Sequence, residues 1–381
     1  MKKLYYFINS FFFFVRNVFI KNTYQIIFYA PSHFNRTEGA ENPFFNGLLE
    51  ICNDCNISYL YFEEPDIYTN QKRSSSAIPF DFIYYLIIFL RKFMGSEMSF
   101  VEKDKKIGRF LKKIFFRKLS FENYITISQS MLSFFNGVDS NAKLFDLQHG
   151  TIHADKENYL VDGKVAENLK ENNSHLLLSG NAYKELLTKN ENGNYFQNHI
   201  EVIGTSTFAE VKEKSVKINK NVLVSLQFTH DHSDIENQQI ADSLEQLIKK
   251  EDTFHFYLRN HPRFNNEIDL NRFLSLPNVS LISGKLQENF SKCSLHLTSY
   301  STTAFEAALQ GIPSCFLPIK SKKFDIFNSQ YSYPFYNLSL TELHTNYPDF
   351  YNQVKSWANN FYQPLNENNF LASLQNAKQE D

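Results

Sequence analysis

The sequence is poor in cysteine and lacks the signature motifs of two large classes of nucleotide-binding enzyme. Only four of its 381 residues are cysteines. These are too few and too scattered for a disulfide framework, so a reducing cytoplasm is expected. No G-x-G-x-x-G motif follows a first strand, and no G-x-x-x-x-G-K-[ST] motif is present. The first absence argues against a nicotinamide-dependent dehydrogenase, and the second against a P-loop enzyme.

The cysteines also fail to complete a metal site. Cys52 and Cys55 form a C-x-x-C pair, a spacing found in thioredoxin-like motifs and in zinc sites. A structural zinc ion needs four ligands, and neither a second C-x-x-C nor a close histidine pair completes the set. The sequence therefore predicts two ordinary thiols near the end of a helix, and no metal site.

An excess of positive charge is missing as well. The chain has 39 Lys and Arg residues against 41 Asp and Glu residues, a formal net charge of -2. No molecule-wide field would attract nucleic acid, so nucleic acid is not expected as a partner and any basic function must be local. At 381 residues the chain is longer than a single hydrophobic core usually serves, so two domains are expected.

The N-terminus has an apolar run that is too short to span a membrane. Residues from Leu4 to Val15 are almost wholly apolar, and Arg16 interrupts the run. A spanning helix needs about 20 apolar residues, and no small-x-small cleavage site follows as it would in a signal peptide. The run predicts a first helix that is buried or lies at an interface.

Short apolar runs that alternate with helical patterns predict an α/β fold with parallel sheets. The segment from Thr205 to Lys220 is polar, rich in lysine and without a clear period, so it is the predicted domain boundary. We expect two Rossmann-like domains facing a cleft, residues 1–204 and residues 221–381, with terminal helices in the second. The predicted strands are 25–29, 57–62, 124–127, 143–147, 175–178, 200–203, 221–226, 254–258, 279–282, 295–298 and 314–317.

A basic stretch in the first half has the pattern of an amphipathic helix. Between Lys103 and Lys118 there are eight Lys or Arg residues, and Asp104 is the only acid. Such a helix fits two environments, the surface of the first domain or an anionic membrane, where each basic residue contributes about 1 kcal/mol. In the second case the protein would be peripheral, at the inner face of the cytoplasmic membrane. The residues expected on the apolar side are Ile107, Phe110, Leu111 and Ile114, with Lys105, Lys106, Arg109, Lys112 and Lys113 opposite.

The most informative segment is a strand, a hydroxyl-rich loop and a helix between Leu295 and Pro313. Free backbone N–H groups at a helix N-terminus, with hydroxyls beside them, can hold the phosphates of a nucleotide. A plain Ser/Thr N-cap is the alternative. The candidate donor-binding residues of this segment are Ser299, Ser301, Thr302, Thr303 and, within the helix, Glu306.

A second segment places a histidine and two arginines where a predicted strand ends. His261 can donate a hydrogen bond to a phosphate oxygen, and Arg259 or Arg263 can neutralise a departing phosphate. Pro262 stiffens the turn that aims the imidazole. The alternative is a purely structural histidine in a loop.

A third segment, Gln148-His149-Gly150, closes a strand of the first domain, and His153 follows it. Gly150 would let the chain turn and bring His149 to the cleft, with Gln148 and His153 beside it. An imidazole can accept the proton of an acceptor hydroxyl near neutral pH, so His149 is the candidate catalytic base. A histidine bound to a strand-end carbonyl is the alternative.

One further histidine-containing segment, His230-Asp231-His232, follows the first strand of the second domain. It lies at the edge of the expected cleft. Nothing in the sequence pairs with it, so a solvated loop is expected, with donor contact as the alternative.

The H-P pair and the S-x-S-T-T-x-x-E-A-x-x-x-G-I-P segment together resemble the donor half of bacterial surface-polysaccharide glycosyltransferases with the GT-B fold. Among these, sialyltransferases and Kdo transferases use an H-P motif and a Ser/Thr motif on CMP-sugars. Polyglycerol-phosphate transferases have a similar H-G element in their first domain. The resemblance covers about half of the chain.

This resemblance implies roles for individual residues. His261 and Ser301, with Thr302, would hold the donor phosphate, Glu306 would bind the ribose hydroxyls, and His149 would be the base. The D/E-D-G motif that supplies the base in many sialyltransferases is absent, and Gln148-His149-Gly150 is expected in its place. The first domain would bind a capsular or lipopolysaccharide glycan, and the second a nucleotide sugar.

The chain also has no D-x-D motif, the carboxylate pair with which metal-dependent sugar transferases hold a divalent cation. A metal-independent glycosyltransferase without a cofactor is therefore expected. Two alternatives remain. A UDP-sugar 2-epimerase has the same two halves but needs carboxylates at its site, and an inactive scaffold would bind nucleotide without transferring sugar.

Overall fold

The computed structural model of the chain describes residues 2–32, 42–66, 73–207 and 218–375. The chain forms two compact units, Met1–Ala209 with Gln363–Asp381, and Glu210–Tyr362. Each unit has its own parallel sheet, so the predicted fold class of two α/β domains is confirmed. The division differs from the predicted one at the C-terminus, where the segment from Gln363 belongs to the first unit.

The first unit begins with a helix and then alternates strands with helices. Its strands are β1 (Asn22–Ala30), β2 (Tyr59–Glu63), β3 (Ile78–Pro79), β4 (Leu119–Ile127), β5 (Lys143–Leu147), β6 (Leu160–Val161), β7 (Lys164–Val165), β8 (His175–Leu178) and β9 (Ile200–Val202). Its helices are α1 (Lys2–Phe19), α2 (Asn46–Asp54), α3 (Asp81–Arg91), α4 (Phe100–Ile114), α5 (Leu132–Val138), α6 (Glu167–Glu171), α7 (Asn181–Asn190) and α8 (Tyr195–Asn198).

Seven of these strands form one parallel sheet in the order β3-β2-β1-β4-β5-β8-β9, and β6 pairs with β7 as a short antiparallel hairpin. Residues Ile26 to Ala30 of β1 are fully buried. They form a continuous apolar run because helices cover both faces of a parallel sheet. The strand order reverses between β1 and β4, which makes that position the switch point of the sheet.

Helix α2 carries the C-x-x-C pair at its end, as predicted. Cys52 lies in the hydrophobic core and Cys55 is the exposed C-cap residue. Burial raises the pKa of Cys52 to about 12, so this thiol stays protonated and unreactive at neutral pH.

The apolar side of α4 is narrower than the sequence pattern predicts. Ile107 and Leu111 are buried, but Phe110 and Ile114 are exposed. Asp104 is buried too and forms an ion pair with Arg91 of α3. The buried side of the helix packs closely on α5, where a Cβ at Gly108 would lie 2.2 Å from the carbonyl oxygen of Phe134, and the charged pair joins the helix to α3.

Several of the basic side chains near α4 hold the chain together. Lys105, Lys112 and Lys118 donate hydrogen bonds to backbone carbonyl oxygens of Glu171, Leu119 and Phe19. The basic stretch is therefore partly structural. Among the helices that the structure describes, none combines the length and the hydrophobicity that a membrane-spanning segment requires.

The second unit repeats the alternation of strands and helices. Its strands are β10 (Asn221–Ser225), β11 (His255–Arg259), β12 (Val279–Leu281), β13 (Leu295–Thr298) and β14 (Ser314–Phe316). Its helices are α9 (Asp234–Lys250), α10 (Asn271–Leu274), α11 (Leu286–Phe290), α12 (Thr303–Leu309), α13 (Ile326–Ser329), α14 (Leu340–Thr345) and α15 (Tyr347–Phe361).

The five strands of this unit form a parallel sheet in the order β12-β11-β10-β13-β14. The order reverses between β10 and β13, so the loops after these two strands flank the switch point. In the strand register Ser225 lies opposite both Arg259 and Thr298. The three strands therefore end level with one another, and the residues that follow them emerge at the same edge.

The last helix, α16 (Glu367–Gln375), belongs to the first unit. The amide of Gln363 donates to the carbonyl of Ser179, and the amide of Thr205 donates to the carbonyl of Gln363. Phe370 is fully buried in the core of the first unit. Backbone hydrogen bonds to distant residues leave no periodic signal, so a helical pattern alone could not assign α16 to this unit.

Gly204 is predicted to be indispensable where this C-terminal segment joins the first unit. Its φ is +81°, and a Cβ at this position would lie 2.1 Å from the carbonyl oxygen of Pro364. Gly204→Ala should lower the free energy of unfolding by about 2–4 kcal/mol in urea denaturation. Gly95→Ala is the control, because a Cβ there meets nothing within 4 Å, and should change stability by less than about 0.5 kcal/mol. Equal effects of the two substitutions would contradict this account.

Candidate functional site

The loops that flank the switch point of the second sheet are joined by Gln227. Its side-chain oxygen accepts hydrogen bonds from the amide of Tyr300 at 3.0 Å, the hydroxyl of Thr298 at 3.3 Å and the hydroxyl of Ser299. One carboxamide oxygen thus fixes the end of β13 and the start of the hydroxyl-rich loop. Nothing in the sequence singled out Gln227, although it stands two residues beyond the end of β10.

The candidate hydroxyls of this loop divide into internal and accessible ones. Ser299 is bound to Gln227, and the hydroxyl of Thr303 donates to Ser225 Oγ at 3.0 Å. Ser301 is largely buried, and its Oγ accepts the amide N–H of Thr303 at 3.3 Å. Its hydroxyl proton is not used by that bond and can be donated to a ligand. Thr302 is exposed.

The helix after this loop is short. α12 has only seven residues, so its N-terminus supplies only a small partial charge. The N-cap residue of α12, Thr302, makes no side-chain capping hydrogen bond, and the bond from Thr303 N–H to Ser301 Oγ forms a local serine turn at the start of the helix. A ligand at this loop would therefore depend on side chains of neighbouring strands as well.

The buried residue His296, which no sequence pattern indicated, supports the hydroxyl-rich loop through hydrogen bonds within the sheet. His296 lies in β13 with Nε2 at 2.9 Å from Ser225 Oγ and Nδ1 at 2.8 Å from Ser314 Oγ. Burial lowers the pKa of His296 to about 3, so the ring is neutral. The Thr303 hydroxyl lies 3.3 Å from its Nε2, which links α12 to three strands of the sheet.

His261 lies two residues beyond the end of β11, close to the strand end as predicted, and is half-buried. Its Nδ1 accepts the amide N–H of Arg263 at 3.0 Å. In the neutral ring the proton must then sit on Nε2, which becomes a hydrogen-bond donor. Burial, together with the positive charge of Arg263, lowers the pKa of His261. Pro262 is exposed in the turn that holds this geometry.

The two arginines of this segment have different surroundings. Arg263 forms an exposed bidentate ion pair with Asp231, an arrangement of little stabilising value in water. Arg259 donates to the carbonyl of Gly284 at 2.9 Å and lies close enough to Glu306 to lower its pKa. Arg259 therefore contributes positive charge beside the only candidate carboxylate of the loop and helix.

The carboxyl group of Glu306 has a pKa close to neutral pH. Burial raises the pKa of Glu306 to about 7, and the positive charge of Arg259 opposes this shift. A carboxyl group with such a pKa can accept or donate a proton near neutral pH. The carboxyl group can therefore bind a hydroxyl group either as a hydrogen-bond acceptor, when ionised, or as a donor, when protonated.

The expectation of a solvated loop at residues 230–232 is half correct. His230 is exposed, with Nδ1 at 3.4 Å from Glu267. His232 is buried, however, and its Nε2 lies 2.6 Å from the Tyr300 hydroxyl. Burial lowers the pKa of His232, so it acts as a neutral support for the loop after β13.

The candidate segment of the first unit follows β5. The side chain of Gln148 donates to the carbonyl of Gly150 at 2.8 Å and accepts from the amide and the hydroxyl of Ser179, at 2.9 and 3.0 Å. Gln148 is thus an anchor that fixes the turn. His149 lies partly exposed, edge-on to Phe44 with ring centroids 6.5 Å apart, and His153 is partly exposed as well.

Gly150 does not have the role predicted for it. Its φ lies outside the left-handed region, and a Cβ at this position would meet nothing within 4 Å. An alanine would fit without strain. The turn is held by the side chain of Gln148 instead.

A buried carboxyl group lies just before this turn. The amide of Gln129 donates to Asp146 at 2.7 Å, and Lys156 and Tyr159 lie close to the same group. Burial raises the pKa of Asp146 to about 7, against the opposing effects of the Gln129 N–H and Lys156. Lys156 also donates to the carbonyl of Thr151 at 2.8 Å, so this cluster fastens the loop that carries His149 and His153.

The turn after β4 has an unusual backbone. Ser128, Gln129 and Met131 have φ values of +58°, +55° and +56°, in the left-handed region that non-glycine residues rarely adopt. This turn lies at the switch point of the first sheet. Sequence patterns missed it because none of the three residues is glycine.

Solved structures of other proteins share this fold. No protein-family model and no curated protein matches the sequence. The UDP-GlcNAc 2-epimerase of Neisseria meningitidis, in a structure with bound UDP-GlcNAc, is 12% identical with a TM-score of 0.52, over 92% of this chain and 99% of that one. The apo lipopolysaccharide outer core galactosyltransferase WaaB is 14% identical with a TM-score of 0.53, over 92% and 99%.

A variant of the wall teichoic acid polymerase TagF is similar as well. It is 13% identical with a TM-score of 0.51, over 93% of this chain and 90% of that one. At these identities the likeness concerns the fold alone. It supports the predicted GT-B-like class of two α/β domains, which transferases and epimerases both share.

Replacement of Glu306 is predicted to change how stability depends on pH. The pKa of Glu306 in the folded protein is about 7, above its value of about 4.3 in an unfolded chain. The folded state therefore keeps a proton that the unfolded state has lost, and stability falls as pH rises from about 5 through 7. Glu306→Gln should lack this loss and become relatively more stable by about 1–3 kcal/mol between pH 5 and pH 8.

The measurement is denaturant unfolding of both proteins at several pH values. Glu288→Gln, at an exposed position of α11, is the control and should run parallel to the wild type. A difference between Glu306→Gln and wild type that does not change with pH would show that Glu306 is not protonated in the folded state.

Proposed function

We propose that the protein is a glycosyltransferase that takes a sugar from a nucleotide sugar bound at the second unit. The observation that supports this most strongly is the convergence at the edge of the second sheet. His261, Arg259 and Ser301 follow or end strands that terminate level with one another, beside the switch point at which open α/β sheets bind ligands. Each offers a donor suited to a phosphate oxygen.

The donor phosphate would be held by neutral and charged groups together. His261 donates through Nε2, Ser301 donates through its hydroxyl, and Arg259 supplies positive charge. These groups offset negative charge that develops on the leaving phosphate. Because side chains can meet this charge, transfer without a divalent metal is part of the proposal.

The nucleoside would lie near Glu306. A carboxyl group of this kind can accept hydrogen bonds from both ribose hydroxyls when ionised. The hydroxyls of Ser299 and Thr303 were expected to bind the donor. Both instead form hydrogen bonds within the second unit, with Gln227 and Ser225. We assign them to positioning, and we assign ligand contact to Ser301 and Thr302.

The acceptor would bind to the first unit, with His149 as the base that takes the acceptor hydroxyl proton. The anchoring of Gln148 and the cluster around Asp146 hold the loop that carries His149. We propose a capsular or lipopolysaccharide glycan as acceptor, and a CMP-sugar such as sialic acid or Kdo as donor. The basis of both is the resemblance of the H-P and Ser/Thr motifs. Peripheral association with the cytoplasmic membrane belongs to the same proposal.

A UDP-sugar 2-epimerase is the second candidate. The specific observation in its favour is Glu306, whose pKa near 7 would suit a group that moves protons on a sugar. The likeness to an epimerase solved with UDP-GlcNAc is as extensive as the likeness to transferases. An epimerase would convert free nucleotide sugar in the absence of any acceptor, which separates the two activities.

Calorimetric titration with CMP, CDP, UDP and GDP in EDTA tests the donor site. One nucleotide should bind, and His261→Ala should weaken it by about 10- to 100-fold because a hydrogen bond to a charged group is lost. His230→Ala, an exposed histidine of a neighbouring loop, should bind like the wild type. Binding that survives in His261→Ala, or that requires a divalent cation, would contradict the proposed site.

Product analysis then separates the reactions. Nucleotide sugars that carry the nucleotide found to bind are incubated with the protein, first without an acceptor and then with a bacterial glycan acceptor. Transfer that appears only with acceptor and falls sharply in His149→Ala, with nucleotide binding unchanged, supports the transferase. Epimerised sugar without acceptor would identify the epimerase, and binding without either product would leave an inactive scaffold.

A further inference from the structure

Exposed aromatic side chains are concentrated in one part of the molecule. Among the described residues, every large aromatic side chain that is clearly exposed lies between positions 5 and 110, whereas the second unit exposes only aliphatic side chains such as Ile235. Single exposed apolar residues are ordinary, but a cluster of them indicates a docking surface. The exposed aromatic residues are Tyr5, Phe11, Phe12, Phe19, Tyr85, Phe89, Phe93, Phe100 and Phe110.

Helix α1 presents an apolar stripe to solvent. Leu4, Tyr5 and Phe12 are each about two-thirds exposed, and with Ile8 they recur at the spacing of one helix face. The opposite face holds α1 on the first unit, where Phe14 is fully buried against Phe62 of β2 with ring centroids 5.6 Å apart. The solvent-facing stripe is therefore not needed to attach the helix.

The stripe continues onto α3. Ring centroids of Phe11 and Phe82 lie 5.2 Å apart, and those of Phe7 and Tyr85 lie 6.3 Å apart. Tyr85, Phe89 and Phe93 follow at intervals of four residues, so they share one side of α3 and the turn after it. We call this surface the aromatic face, formed by Leu4, Tyr5, Ile8, Phe11 and Phe12 with Tyr85, Phe89 and Phe93.

The charges near the aromatic face are mainly positive. Helix α1 contains no acidic residue. On α4, which packs against α3, exposed Phe110 has Lys106 four residues before it and Lys113 three residues after it on the same side of the helix. The buried Asp104 is paired with Arg91, and the exposed acids of this region are Glu97 and Glu102.

We propose that the aromatic face docks on an anionic phospholipid bilayer. Aromatic and aliphatic side chains would enter the boundary between headgroups and acyl chains, as amphipathic rings favour. Lys106 and Lys113 would meet lipid phosphates beside them. The inference goes beyond the basic stretch of α4, because it assigns the apolar contact to α1 and α3. It rests on the peripheral membrane association in the proposed function, but it does not depend on sugar transfer.

Charge favours a bilayer over a second copy of the chain. In a two-fold dimer the same surface meets itself, so basic residues of α4 would approach each other with few acids to pair with them. Like charges across an interface are unfavourable. An anionic lipid surface supplies the opposite charge to every lysine.

Vesicle flotation tests this surface. The protein is mixed with vesicles of phosphatidylcholine plus phosphatidylglycerol, and with vesicles of phosphatidylcholine alone. Wild type should float with the anionic vesicles, and Phe12→Ser/Phe89→Ser should reduce the partition coefficient about tenfold or more. Both positions are more than half exposed, so the fold should be retained. Leu4→Gln/Phe93→Ser is a second pair for the same measurement.

Matched variants show whether a bilayer is the partner of the aromatic face. Ile235→Ser removes an even more exposed apolar side chain from the second unit and should float like wild type. Lys106→Gln/Lys113→Gln should weaken binding to anionic vesicles only. Nucleotide titration of Phe12→Ser/Phe89→Ser in solution should match wild type, so failure of the donor site would be recognised separately. Equal flotation of wild type and Phe12→Ser/Phe89→Ser would overturn the proposal. A wild-type dimer that Phe12→Ser/Phe89→Ser dissociates would overturn it as well.

Discussion

The side-chain oxygen of Gln227 is the interaction on which the candidate site of the second unit depends. It accepts the Tyr300 amide and the hydroxyls of Thr298 and Ser299, so one group from the end of β10 sets the backbone at the end of β13. Without that acceptor, the Tyr300 amide and the Ser299 hydroxyl would lose their partner, at a cost of about 1–3 kcal/mol each, whereas the Thr298 hydroxyl would keep the carbonyl of Ser225. The bonds to Gln227 also help to fix the position of Ser301, because Ser301 lies only two residues after Ser299.

Burial also keeps most of the imidazole rings of the site neutral. Burial is the main cause that lowers the pKa of His296, of His232 and of His261. Neutral rings can be held among hydroxyl groups without the cost of an unpaired buried charge. Positive charge then comes from Arg259, and a fixed array of neutral donors can be aimed at a phosphate before it arrives.

Much of the fold could be read from local sequence patterns. The strands at 143–147, 175–178 and 295–298 have the predicted limits, because strands buried on both faces of a parallel sheet are rich in apolar residues, although β5 also contains Lys143 and Asp146. His261 could be found because it comes shortly after β11, and a polar residue just beyond a strand emerges at the edge of the sheet. The return of α16 to the first unit had no such signal.

The details of the site could not be read in this way. Gln227 and His296 act through partners about 70 residues away in the sequence, and such pairing exists only after the strands have assembled. The same cause misled the prediction for Thr303, whose hydroxyl is engaged by Ser225. The prediction for Gly150 failed for a local reason, because the side chain of Gln148, two residues before it, fixes the turn. Only the anchoring of Gln148 itself comes from another strand end, through Ser179 just after β8.

Hydrogen exchange of backbone amides, with and without the nucleotide that binds, would test the central claim most directly. The claim is that phosphate is held where β11 and β13 end. It predicts slower exchange at residues 261–263 and 299–303 when nucleotide is present, and unchanged exchange around residues 148–153 of the first unit. Saturating nucleotide that leaves both segments of the second unit unaltered, or that protects the first unit instead, would contradict it.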